Sequence, residues 1–229
     1  MAKSGANNDL KNHIYKVLKD RLINCVYAPG STINESQLAA EFELSRTPIR
    51  EAVYRLEQDG LLQIMPKKGI YVPDITIQDV IYVFQTRIEI EPLTLRMAAP
   101  FLNRQDIEHF LEVFLEDESD LEKAFWQDME MHMYFTYHCG NPFLIDMMHK
   151  VYDQSCRIVI ASKQNQSKIK NARQEHVHIL RALLNEEYDK ACQCLRQHLE
   201  GCQSYSLNFF NSTQNLPSGM DWNKKSSAL

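Results

Sequence analysis

Asp128 and His132 lie four residues apart in the run WQDMEMHMYF, so on a helix the carboxylate and the imidazole share one face. His176 and His198 fall in two later segments, EHVHILRAL and CLRQHLEGC, which also read as helical. One carboxylate and three imidazoles suit a divalent metal ion, zinc first, with nickel, manganese or iron as alternatives. Helical bundles build cofactor sites in this way, from inward side chains on facing helices. A single histidine on an apolar face is nevertheless more often a hydrogen-bonded core residue, and spacing alone does not bring three helices together. The other histidines fit less well. His178 is two residues from His176 and turns to the opposite face, His138 is misaligned with His132, and His13, His109 and His149 lack a partner pattern. Cys194 and Cys202 flank His198 at four-residue spacing, and core packing is the role expected of both.

A second chemistry is carried by Arg46 and Arg50, again four apart and therefore on one face of a short helix. A helix that reads the DNA major groove needs polar or basic residues at its exposed N-terminal end. Thr47 adds a hydroxyl for a phosphate, helped by the helix N-terminal amides, and Ser45 belongs to the same group. Lys67, Lys68 and Gly69 form a turn suited to the tip of a wing, where the lysines meet phosphate and the small glycine lets backbone approach a groove. Two arginines alone would equally suit a solvated surface; the order of elements around them decides for DNA.

Those elements follow from periodicity. Apolar residues at Leu10, Ile14, Val17, Leu18 and Leu22 predict a helix over 10–26, stopped by Ala28, Pro29 and Gly30. Short helices are expected over 35–42, capped by Asn34, and over 46–59, with an inward stripe of Ile49, Ala52, Val53 and Leu56. Residues 61–65 and 70–72 read as a two-stranded hairpin. Beyond Pro73 the pattern is wholly helical, with helices expected over 76–99, 104–117, 118–139, 142–162, 169–185 and 187–209. The fold class is therefore mainly α: a winged helix-turn-helix over 1–73 and an antiparallel helical bundle over 74–210. The Ser/Asn-rich stretch 211–229 is expected to be a disordered tail.

Composition sets limits. The chain of 229 residues is 44% hydrophobic and 24% charged, with a net charge of −5. Residues 1–73 hold ten Lys or Arg against eight Asp or Glu, while the remainder is acidic, which suits a nucleic-acid reader joined to something else. The first residues do not read as a signal peptide, no apolar run approaches a membrane span, and six scattered cysteines fit reduced thiols in the cytoplasm.

Residues 28–72 resemble the winged helix-turn-helix of the GntR family. The resemblance is carried by Pro29, Gly30, Leu38, Ala39, the run SRTPIREA at 45–52, Leu56, the run DGL at 59–61, and Gly69. It implies a homodimer on a palindromic double-stranded operator, with Arg46 and Arg50 as main contacts. Ser36 and Gln37 stand where part of the family has a basic residue, so the resemblance does not fix the operator sequence. Residues 76–209 resemble the FCD domain, in its six-helix form, through Arg87, Glu91, Pro92, Ala98, Ala99, Asp128, His132, Gly140, Asn141, Pro142, Glu175, His176, His198 and Leu199. The metal-binding version of that domain uses one Asp and three His, which the resemblance places at Asp128, His132, His176 and His198.

A divalent cation on these four ligands keeps about one positive charge, and a six-coordinate metal keeps open positions. The expected effector is a small organic acid, with Arg87 as a carboxylate clamp; an ion pair with Glu91 is the competing role for Arg87. Two further classes compete with this one, a regulator for which the cation itself is the signal and a metalloenzyme. No general base stands out near the ligands, which disfavours the enzyme.

Overall fold

The computed structural model describes residues 2–163 and 166–214, with side chains from 10 to 163 and from 167 to 212. The chain opens with α1 (Ala2–Ile23), then β1 (Thr32–Ile33), α2 (Glu35–Glu41), α3 (Arg46–Gln58), β2 (Gln63–Met65) and β3 (Gly69–Tyr71). The Asn34 side chain accepts from the backbone amides of Ser36 and Gln37, satisfying two donors that the first turn of α2 leaves open. Ile14, Leu18 and Leu22 of α1 meet Ile49, Val53 and Leu56 of α3 in one buried cluster, which Leu38, Ile70 and Val72 complete. Polar contacts join the same helices. Tyr15 donates to Asp59 at 2.6 Å, and the Arg55 guanidinium lies 4.0 Å from the centre of the Tyr15 ring.

Three strands form the wing sheet rather than the expected two, in the order β1-β3-β2, with both pairings antiparallel. A two-residue strand is too short to show a period of two, so sequence patterning passes over it. α1 also starts earlier than expected. Its first turns lack an apolar stripe, so apolar periodicity does not reveal them.

Six helices follow: α4 (Ile77–Ala98), α5 (Arg104–Leu115), α6 (Leu121–Tyr137), α7 (Pro142–Ala161), α8 (Gln166–Leu184) and α9 (Tyr188–Gln214), with a 3-10 turn at Ala99–Phe101. Thr76 and Asp79 form a reciprocal capping box at the start of α4. Asp120 and Asn141 cap α6 and α7, and Pro142 occupies the first turn of α7, where its missing N–H costs nothing. α4 packs along α9, and α8 lies against α9 and α5. The core between them includes Phe84, Leu95, Phe110, Phe135, Leu180 and Leu199. The fold is thus mainly α, a winged helix-turn-helix followed by a helical bundle. α9 runs through Gln214, so residues 211–214 are helical and not part of a disordered tail. The helical period of α9 continues into polar residues that composition alone assigns to a tail. The rest of the expected tail lies outside the described residues.

A third cluster joins the two parts: Ile23 of α1 sits among Met129, Met148, Tyr152 and Cys156. No helix among the described residues is long and apolar enough to cross a membrane.

Leu56 is fully buried between α1 and α3. Leu56→Ala is expected to lower the unfolding free energy by about 2–5 kcal/mol, through lost burial and the cavity left behind. Urea denaturation followed by circular dichroism measures this, and a loss below 1 kcal/mol, on the order of a surface substitution, would contradict the packing described.

Candidate metal centre and DNA-facing surface

α6 carries Asp128 and His132 one turn apart on its inward face, α8 brings His176, and α9 brings His198. One potential ligand atom from each of these four lies within 4.8 Å of the other three. Asp128 Oδ1 is 2.9 Å from His176 Nε2 and 3.9 Å from His132 Nε2, and the Nε2 atoms of His176 and His198 are 3.2 Å apart. All three imidazoles are buried, whereas the Asp128 side chain remains 25% exposed.

The orientation of two rings is fixed from behind. His132 Nδ1 lies 2.6 Å from Glu91 Oε2, and His198 Nδ1 lies 2.7 Å from Glu175 Oε2. Carboxylates accept, so each Nδ1 is the donor, and Nε2 is the ring atom left facing the shared centre. His132 Nε2 is buried there with no hydrogen-bond partner. A buried polar atom left without a partner costs about 1–3 kcal/mol, and a cation between the four groups is the chemistry that would use it. The donor set therefore fits a metal ion.

Protonation agrees with that fit. Burial, reinforced by the neighbouring His176 and His132, pushes the His198 imidazole well below its ordinary range, and burial lowers His176 against the pull of Asp128. Burial alone would raise Asp128, but His176 and His132 outweigh it and hold the carboxyl well below the usual carboxylate range. Burial likewise opposes Glu91, yet Arg87 and His132 bring it down to about 2. Ionised carboxylates and neutral His176 and His198 rings are the states that metal binding requires.

Arg87 is buried and committed. Its Nε donates to Glu91 Oε1 and its Nη1 to Ser155 Oγ at 2.8 Å, while Nη2 has no partner. The ion pair with Glu91, one of the two roles open from sequence, is formed. Arg87 also lines the adjoining cavity of about 560 Å³, together with Phe114, Trp126, Asp128, His176 and His198.

Sequence reasoning gave Glu91 and Glu175 no part in orienting the histidines. Both carboxylates touch ligand imidazoles, and each is occupied in doing so, so neither stands as a free general base. Glu175 precedes His176 in sequence yet serves His198 across the α8–α9 contact, which spacing does not reveal. Cys202 is buried in the core as expected, with its Sγ also 3.6 Å from His198 Nε2 at the cavity wall, whereas Cys194 packs partly buried against the core. His13, His109, His138, His149 and His178 are exposed.

In the N-terminal part of the chain, Ser45, Arg46, Thr47 and Arg50 are exposed along the N-terminal half of α3, while Pro48 and Ile49 face the core. Ser45 occupies the N-cap position without a side-chain cap bond. Arg50 Nε donates to Glu35 Oε1 at 2.8 Å. Lys67 and Lys68 are exposed at the wing tip. Gly69 has φ +104°, and a Cβ there would stand 3.1 Å from the Ile33 carbonyl oxygen, so the β1–β3 pairing itself requires glycine.

Comparison with known sequences gives a match to the FCD domain over residues 82–201 and to the bacterial regulatory proteins of the gntR family over residues 10–72. The chain belongs to the GntR family. This GntR-family protein is a DNA-binding transcriptional regulator with an FCD domain, and is not an enzyme. It is 26% identical over 197 residues to the HTH-type transcriptional repressor RspR of Escherichia coli K12, covering 83% of this chain and 86% of the repressor. Among solved structures, E. coli McbR/YncC shares the fold, with a TM-score of 0.77 at 19% identity over 88% of this chain and 99% of that one. The metal-free FCD domain of TM0439 aligns with a TM-score of 0.52 at 16% identity, over 60% of this chain and 98% of that one.

If Glu175 orients His198 for a cation, Glu175→Gln should weaken Zn2+ binding about 10- to 100-fold and leave the helical content unchanged. Competition with a chromophoric chelator reads this directly; an unaltered affinity would remove Glu175 from the site.

Proposed function

We propose that this regulator binds a divalent metal, zinc foremost, through Asp128, His132, His176 and His198, and that a small organic acid docks at that metal to control operator affinity. The observation that carries the reading is the buried, partnerless Nε2 of His132 facing a carboxylate and two further imidazoles, with Glu91 and Glu175 behind two of the rings. A cation there would act as a Lewis acid and an anchor for a carboxylate. The apolar wall of the cavity would take the rest of the acid, and the partnerless Nη2 of Arg87 would add one arm of charge-assisted hydrogen bonding. Because Nε and Nη1 are already engaged, Arg87 gives less than a full bidentate clamp.

In this reading residues 1–73 are the DNA-reading head and the helices from residue 74 onward form the effector-binding and dimerising part. Two copies in the cytoplasm place their heads on a palindromic operator, with half-sites about 34–36 Å apart. Ser45, Arg46, Thr47 and Arg50 reach bases and phosphates, while Lys67, Lys68 and Gly69 form the wing contact.

One observation favours the cation itself as the signal: the 3.2 Å contact between His176 and His198 is a bond the rings make with each other, and metal binding would replace it. The two readings separate in one experiment. Operator affinity is measured for metal-loaded protein, for chelator-treated protein, and for loaded protein with each member of a carboxylate panel. A response to an acid with metal retained supports the first reading, a response to chelation alone supports the second, and no response to either defeats both. Arg46→Ala and Arg50→Ala are each expected to abolish specific binding with folding and metal content intact. An unchanged footprint would remove that residue from the readout.

A further inference from the structure

The turn and a half of α7 over residues 152–157 touches the candidate metal centre on one side and the DNA-reading head on the other. On the inner side, the Tyr152 hydroxyl donates to the His132 carbonyl oxygen at 3.1 Å and pairs with Thr136 Oγ1 at 2.7 Å. Ser155 Oγ accepts from Arg87 Nη1, and Arg87 holds the Glu91 carboxylate that orients His132. On the other side, Asp153 pairs with Lys19 of α1 at 2.6 Å. Gln154 Nε2 donates to the Gly60 carbonyl oxygen at 3.1 Å, just past the C-terminal end of α3. Arg157 Nη2 donates to the Pro73 carbonyl oxygen at 2.7 Å, and its Nη1 donates to Gln154 Oε1 at 2.9 Å.

The helical repeat explains this division. Tyr152, Ser155 and Cys156 share one face, while Asp153 and Arg157, with Gln154 beside them, share another. A helix is stiff over so short a length, so its two faces move together. The seam is also continuous with the ligand space: Asp20, Asn24 and Val26, at and just beyond the end of α1, line the same cavity as Asp128, His176 and His198. Ile23 packs on Met129, which follows Asp128 in the chain, and on Tyr152.

We infer that residues 152–157 of α7 are the coupling element through which cation binding at the Asp128 cluster reaches the recognition helix. The inference rests on the metal-centre reading above. Drawing Asp128 and His132 toward a common centre with α8 and α9 shifts α6, whose main chain is bonded to Tyr152. α7 passes that shift to Gly60 and Pro73. Coupling of this kind is a difference in stability between two arrangements of the seam, and either site biases it.

Hydrogen exchange of the full-length protein, with and without Zn2+, tests the inference peptide by peptide. In the unaltered protein Zn2+ is expected to slow exchange in α6 and to change exchange over residues 57–73 by about fivefold or more. In the double variant Lys19→Ala/Gln154→Ala the α6 response should persist and the response over 57–73 should fall by at least about half. These side chains lie at the surface of the seam, so the fold is expected to survive, and circular dichroism of the variant checks this. A change over 57–73 that is as large in the variant overturns the coupling role, as does an α6 response in the unaltered protein with none in the head. Absence of any response at α6 defeats the metal-centre reading, and the coupling with it.

Discussion

A buried ion pair organises the bundle. Arg87 and Glu91 lie one turn apart on α4, both removed from water, and neither charge could stay there alone. Desolvation costs several kcal/mol per ion, and attraction offsets it only when the remaining polar atoms are also bonded. Glu91 meets that condition with one oxygen on Arg87 and the other on His132, and Arg87 adds Ser155. One pair thereby ties α4 to α6 and α7 and sets which nitrogen of His132 faces inward. The carboxylate's second oxygen turns an electrostatic liability into a device for orienting a ligand.

The head is stabilised differently. Its core is aliphatic, and its polar contacts lie at the rim, where Tyr15, Asp59 and Arg55 fix the angle between α1 and α3. This leaves the first turns of α3 with little to do internally. Arg46 and Thr47 project into solvent, whereas Pro48, Ile49, Ala52, Val53 and Leu56 are the residues of that helix that the core buries. Arg50 is held at Nε by Glu35, which leaves the rest of its guanidinium fork unoccupied by that bond and restricts its rotamers before any groove is met.

What could be read from the sequence follows the range of the forces involved. Helix periodicity and caps are local, so Asn34 and the stripe of α3 announced their elements. The third strand did not, because Thr32 and Ile33 are a strand only through β3, nearly forty residues on. In the candidate site, Asp128 and His132 declared a shared face by spacing, whereas His176 and His198 were brought in by family resemblance. Glu175 was the hardest to read. It lies beside one ligand in sequence and serves another across a helix contact, and only packing distinguishes the two.

Asp128 differs from the three histidines in one respect, its partial exposure at the mouth of the cavity. In the proposed function that asymmetry would give the site an order of events. A cation arriving from solvent would meet the carboxylate first and then pass inward to the three rings. An anion that filled the cavity afterwards would stand across the same route, so departure would run in reverse, acid before metal. Residence time of the metal would then depend on the acid that covers it, and the deeper of the two guests would be the slower to leave.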